Sequence, residues 1–160
     1  MRLFEEFREP LLRYGLSLGI DVHDAEEVVQ ETFLALFQHL RQGRSRKNLR
    51  GWIFRVTHNL ALKRCHAIKA LRARTEPGEL MVQEPPDPGP TPEQQFSDWQ
   101  RRRQLLAVVQ ALPQTDQNCL RLRAEGLRYR EIAAVLGVSL GTVSMSLARS
   151  FSRLIRADGR

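Results

Sequence analysis

The sequence is poor in aromatic residues, with two Trp, two Tyr and seven Phe among 160. Any core must therefore be built mostly from Leu, Val, Ile and Ala. There are only two cysteines, Cys65 and Cys119, far apart and with no further Cys or His at ligand spacing. That excludes a disulfide scaffold and a zinc site, and leaves two reduced thiols that pack between helices. Cys65-His66 is a pair, not a metal site. No apolar run approaches the roughly 18 residues of a membrane span, so no membrane insertion is expected. The start, Met-Arg-Leu-Phe-Glu-Glu, lacks the basic-then-apolar layout of a signal peptide, and a cytoplasmic protein is expected. There is no glycine-rich phosphate loop, no metal-ligand cluster and no recognisable Ser, His and Asp set. No catalytic residue, metal or cofactor is expected, and an enzyme is the least favoured class.

What the sequence does have is charge in blocks. Residues 1–40 hold eight acids and three bases, whereas residues 41–74 hold eleven bases and no acid. Residues 75–98 hold six acids and no base, and residues 99–160 hold eleven bases and four acids. The net charge of +7 thus hides two basic blocks separated by acid. Two separate contacts with a polyanion are the natural reading; a plain solvated basic helix face is the alternative for either block alone.

The chain reads as helices throughout. Val29, Thr32, Phe33, Leu36, Phe37 and Leu40 recur at spacings of three and four and predict one buried stripe. Asp21 or Asp24 is placed to cap that helix. Residues 41–50 form a polar basic loop broken at Gly43. A helix is predicted from about Gly51 to Arg74, with Ile53, Val56, Leu60, Ala67 and Leu71 as its stripe and Arg55, Asn59, Lys63 and His66 on another face. Six of the eight prolines then fall within residues 75–95, with two glycines and several acids. Such a segment buries too little apolar surface to offset its ordering entropy, so it is read as an extended or disordered linker. Helix resumes at about Pro92, with Phe96, Trp99, Leu105, Leu106, Val109 and Leu112 at helical spacing. Pro113 breaks it, Thr115 or Asp116 starts another helix, and Gly126 ends that one. The expected fold is all-α: an N-terminal helical bundle (residues 1–75), a Pro- and acid-rich linker (76–95) and a C-terminal helix-turn-helix domain (96–160).

The most specific local signal is Tyr129-Arg-Glu-Ile-Ala-Ala-Val-Leu-Gly-Val-Ser-Leu-Gly-Thr-Val143. Ala133 supplies the small residue where two helices cross, and Gly137 supplies the turn residue that tolerates positive φ. Val143 plugs the core, with Ile132 and Leu136 packing from the first helix. Ser139 caps the second helix, which runs to about Ala157. Val143, Leu147, Phe151 and Leu154 point inward. Thr142, Met145, Ser146, Arg149, Arg153 and Arg156 lie on the outer face, the one that enters a major groove. Free amides at Gly141 and Thr142 are further anion donors.

Two blocks taken together resemble a family. Asp24-Ala-Glu-Glu-Val-Val-Gln-Glu-Thr-Phe-Leu34 is similar to the polymerase-binding helix of the extracytoplasmic-function sigma factors of bacterial RNA polymerase. Trp52-Ile-Phe-Arg-Val-Thr-His-Asn-Leu-Ala61 resembles the family's promoter-melting helix, and residues 105–154 resemble its C-terminal domain. The resemblance implies that Glu27, Gln30 and Glu31 make polar contacts with core RNA polymerase while Leu34 packs. It implies that Arg44, Arg46, Lys47 and Asn48 in the loop, with Arg55, Asn59 and Lys63 on the helix, hold the single strand of the minus-ten element. Trp52 joins that set as a base-stacking residue, although a Trp at a helix start more often belongs to the core. Thr142, Met145, Ser146, Arg149 and Arg153 would read the minus-thirty-five element as duplex. The acidic linker would follow the polymerase's RNA path or serve as a plain tether. An anti-sigma protein is a further partner that the family implies, although no residue identifies one.

Two departures from the family stand out. Gly-Thr-Val is usually followed by Lys-Ser-Arg, and here by Ser144-Met145-Ser146, which removes two cations from the recognition helix. Lys63 stands where an acid is common. The resemblance implies a sigma factor that binds core polymerase and directs promoter recognition and opening. Two alternatives stay open: a sigma-derived interaction protein that does not initiate transcription, and an ordinary helix-turn-helix regulator.

Overall fold

The computed structural model describes residues 2–44, 46–74 and 92–159. Among them are seven helices and no strand, the all-α class expected. The helices are α1 (Arg2–Ser17), α2 (Val22–Arg41), α3 (Leu49–Arg74), α4 (Pro92–Ala111), α5 (Gln114–Ala124), α6 (Tyr129–Leu136) and α7 (Leu140–Asp158). Most of the linker expected at 76–95 lies outside the described residues; its last four positions already belong to α4.

The first three helices form a bundle whose packing follows from their stripes. Asp21 is the cap of α2, its carboxylate accepting the Asp24 amide at 2.8 Å. Ala25, Val28, Val29, Thr32 and Leu36 of α2 are buried against α1 and α3. Phe37, expected in that stripe, is instead 61% exposed; it carries the Arg41 guanidinium 6.0 Å from its ring. On α3, Ile53, Phe54 and Ala61 are buried, but Ala67 and Leu71 are exposed. Thr32, Thr57 and His58, the buried polar residues of these helices, all find partners. Tyr14 Oη lies 2.7 Å from His58 Nδ1. The Thr32 and Thr57 hydroxyls sit 3.1 Å apart, each within reach of the carbonyl four residues back. Burial lowers the pKa of His58 and raises that of Tyr14. Both shifts favour the uncharged forms of the two hydrogen-bonded rings.

The second half stacks α5 and α6 on α7, with α4 along α7. Leu122, Leu127, Ile132, Val143 and Leu147 are fully buried. Phe151, expected inward, is half-exposed, and so are Phe96, Trp99 and Leu106 of α4. A helical stripe marks an apolar face, and among the described residues the neighbouring helices leave part of it uncovered.

The two halves share one core. Phe7, Leu11, Tyr14, Ile53 and Phe54 belong to the same buried cluster as Cys119, Leu122, Leu127, Ile132 and Val135. The first helix of the helix-turn-helix, α6, packs mainly on α3. Gly51 makes room for it: a Cβ there would lie 3.4 Å from the Glu131 side chain. Two arginines strap the halves together. Arg13 forks onto Glu125 at 2.7 and 2.8 Å. Arg50 donates to the Glu125 carbonyl at 2.8 Å, with its guanidinium 5.2 Å over Phe7.

Candidate functional site

Three surfaces carry the residues singled out by the sequence. The first is the helix-turn-helix. The turn closes at Gly137, whose φ of 67° and ψ of 33° are left-handed. Ser139 then caps α7, its hydroxyl accepting the Thr142 amide at 3.1 Å. The two helices bend by 108° at the turn, as the motif requires. The cap uses up the Thr142 amide, so the two-amide anion site expected at Gly141 and Thr142 does not form. The Thr142 hydroxyl also pairs with Ser139, at 2.8 Å.

Thr142, Met145, Arg149 and Arg153 are exposed on the outer face of α7. Ser146 is not: it is 1% exposed. Its hydroxyl donates to Asp116, a buried carboxylate in the first turn of α5. Arg149 donates to the same carboxylate through Nε at 3.0 Å and Nη2 at 2.9 Å. The Arg149 hydrogen bonds, aided by Ser146, hold the Asp116 pKa below the usual carboxylate range against the opposing effect of burial. The outer face predicted for Ser146 is thus overturned, because a buried acid draws the hydroxyl inward.

The second surface is the outer side of α2. Gln30 is exposed, and Leu34 is 64% exposed beside Phe37. Glu27 and Glu31 are tethered by a residue that sequence reasoning missed. Arg64 of α3 reaches Asp24 at 2.9 Å, Glu27 at 2.5 Å and Glu31 at 3.1 Å. The Arg64 hydrogen bond lowers the Glu27 pKa. The spacing puts the acids at 24, 27 and 31 on one helix face, but nothing in it points to Arg64.

The third surface runs from the basic loop along α3. Arg44, Arg46, Lys47 and Asn48 are exposed in the loop. Asn48 adopts φ 57°, a left-handed value that Asn tolerates, and its carbonyl accepts the Trp52 amide at 3.0 Å. That turn starts α3. Trp52 is half-buried, packs against the shared core and lies 4.3 Å from the His39 ring, centroid to centroid. Arg55, Asn59 and Lys63 are exposed at intervals of four, hence on one face. The loop thus exposes three cations and this face of α3 two more, with Asn59 between them. Among the described residues, no cluster of His, Cys, Asp or Glu is arranged to hold a metal. No single described helix is long and apolar enough to cross a membrane.

Comparison with known proteins places both halves. Residues 3–73 match the family described as Sigma-70 region 2, and residues 102–154 match Sigma-70, region 4. The chain is 32% identical over 153 residues to the ECF RNA polymerase sigma factor SigE of Mycolicibacterium smegmatis, covering 95% of this chain and 58% of that protein. It is 31% identical over 151 residues to the ECF RNA polymerase sigma factor SigL of Mycobacterium tuberculosis, covering 91% and 80%. The fold matches that of the sigma factor RpoE of Bartonella quintana, solved with the anti-sigma factor NepR. The TM-score there is 0.67 at 20% identity, over 98% of this chain and 96% of that one. With the two regions in succession along one chain and these identities over most of its length, the chain belongs to the extracytoplasmic-function sigma factors of bacterial RNA polymerase.

Proposed function

We propose that the chain binds core RNA polymerase and directs promoter recognition and opening, acting in the cytoplasm as a binding factor rather than an enzyme. The observation that supports this reading is one chain matching region 2 and then region 4 of the family, with Gln30 and Leu34 exposed on α2 and basic side chains exposed on α3 and α7. On α2, Gln30 and the exposed Leu34 supply the contact with polymerase, and Arg64 holds Glu27 and Glu31 in fixed positions beside them. The residues before 75 serve polymerase and the minus-ten strand, those after 96 serve the minus-thirty-five duplex, and 76–95 joins them.

Promoter opening needs unstacked bases to be held. The strip from Arg44, Arg46, Lys47 and Asn48 to Arg55, Asn59 and Lys63 follows the single-stranded backbone. Trp52 is braced by His39 and the core, so it lines the start of that path as a fixed wall. Upstream, the exposed first turns of α7 enter the duplex, with Thr142 and Met145 nearest the bases and Arg149 and Arg153 behind them. Ser146 supports α7 from inside. An anti-sigma protein is included among the partners, as in the solved complex of RpoE with NepR.

A second reading, a sigma-derived binder that does not start transcription, is favoured by one observation. Ser144 and Ser146 stand where the family has cations, and Ser146 is buried. Co-purification of the full chain with core polymerase, followed by permanganate footprinting of promoter DNA, separates the readings. Reactive thymines in the minus-ten region support the first. Polymerase binding with no reactive thymine supports the second.

A further inference from the structure

Asp116 is a carboxylate in an unusual place. It is almost completely buried, yet it belongs to α5, which lies behind the recognition helix rather than on the outer face of α7. Three donors from α7 converge on its two oxygens: the Ser146 hydroxyl, Arg149 Nε and Arg149 Nη2. A pairing through Nε and Nη2 uses the side of the guanidinium plane. It leaves Nη1 and the outer proton of Nη2, the end of the plane, directed away from the acid. The Arg149 side chain is 48% exposed, so that end faces outward from α7.

A free arginine on a helix surface samples many rotamers and contacts a phosphate as readily as a base. One locked by a buried acid has already lost that freedom, and its open edge carries two parallel donors. Two parallel donors match the O6 and N7 acceptors of guanine in the major groove. The charge is also partly offset by Asp116, which weakens its attraction to phosphate in general and leaves geometry to decide. Ser146 is part of the same arrangement. Its small hydroxyl fills the position where the family has a cation, and an arginine there would compete for the same carboxylate.

We propose that Asp116 is a positioning residue for sequence recognition, fixing Arg149 so that its end-on edge reads a guanine in duplex DNA. The proposal rests on the reading of α7 as the duplex-binding helix. Arg149 then touches the base, and Asp116 acts only through it.

The test is selection of bound sequences from a random duplex library by the full chain with core polymerase, followed by binding titrations on the selected duplex and on its guanine-substituted versions. The wild type should prefer guanine at one base pair by roughly ten- to hundredfold. Arg149→Lys should lose that preference, since an ammonium offers no fork. Asp116→Asn keeps the shape of the side chain but not the charge, and should relax the preference by about tenfold. Binding to the substituted duplexes should hold steady or tighten, and their salt dependence should steepen. Asp116→Glu should restore part of the preference. Uniform weakening on every duplex in Asp116→Asn, with the guanine preference intact, would show a merely structural role and overturn the proposal. A wild type whose selected duplexes show no contact with α7 residues would instead overturn the underlying reading of that helix.

Discussion

The two halves of the chain are packed on one shared core. Positions minus ten and minus thirty-five are 25 base pairs apart by definition, which is about 85 Å at roughly 3.4 Å per pair. A compact chain of this length has a radius of gyration of about 15 Å. On the proposed function the packed arrangement cannot hold both elements at once, and α6 then has to leave α3 before the promoter is engaged. Glu125 is where to perturb this contact, because Arg13 forks onto its side chain and Arg50 donates one hydrogen bond to its carbonyl. Its side chain is only 11% exposed, whereas that of Arg13 is 63% exposed, so the pair is worth about 0.5–1 kcal/mol after screening. Glu125→Lys removes that pair and sets a cation against Arg13, for a total of about 1–2 kcal/mol. This shifts the closed-to-open ratio by roughly five- to thirtyfold. Small-angle scattering of the free chain should show a larger radius of gyration in the variant, more so at low salt. Polymerase affinity should rise, because less of the chain is held in the closed form. An unchanged radius together with unchanged affinity would refute the reasoning, and would show that burial of Ile53 and Phe54 against Leu127 and Ile132 dominates the contact.

Other substitutions follow from single features. Gly137→Ala places a Cβ at φ 67° and should cost about 1–2 kcal/mol, seen as a lower midpoint in thermal unfolding. Ser139→Ala removes the cap of α7 and should cost about 1 kcal/mol in the same assay. Burial holds the His58 pKa below its unfolded value, so an unfolded chain takes up the proton first. Stability should thus be fully present above about pH 6.5, fall as pH drops through the unfolded value toward the folded one, and lose that dependence in His58→Gln. On single-stranded DNA, the double variant Arg55→Ala, Lys63→Ala should lower the slope of log affinity against log salt by about 0.7 per lost contact, checked by titration at several salt concentrations.

Local rules written in the sequence were met where the structure depends on neighbours a few residues apart. Asp21 and Ser139 cap as their positions required, and Gly137 takes the left-handed turn. The stripes on α2 and α7 located the buried residues but overran them at Phe37 and Phe151, because periodicity marks a face without saying how wide its cover is. Long-range pairings were not legible. Arg64 meets acids 33 to 40 positions away, and Asp116 meets Arg149 across 33. Nothing in the spacing of either partner specifies the other. The burial of Ser146 follows from the same blindness, since its helix face could be read but the acid behind it could not. Packing of α6 on α3 hides in a similar way: Gly51 and Glu131 look like a helix start and a surface acid until they are seen together.

The most direct test of the central claim is run-off transcription by core polymerase with the full chain across fragments of the source genome. Discrete start sites that depend on the chain, and that vanish in a Gln30→Ala, Glu31→Ala double variant, are the expected result. Tight duplex binding with no polymerase association and no new start site would contradict the account.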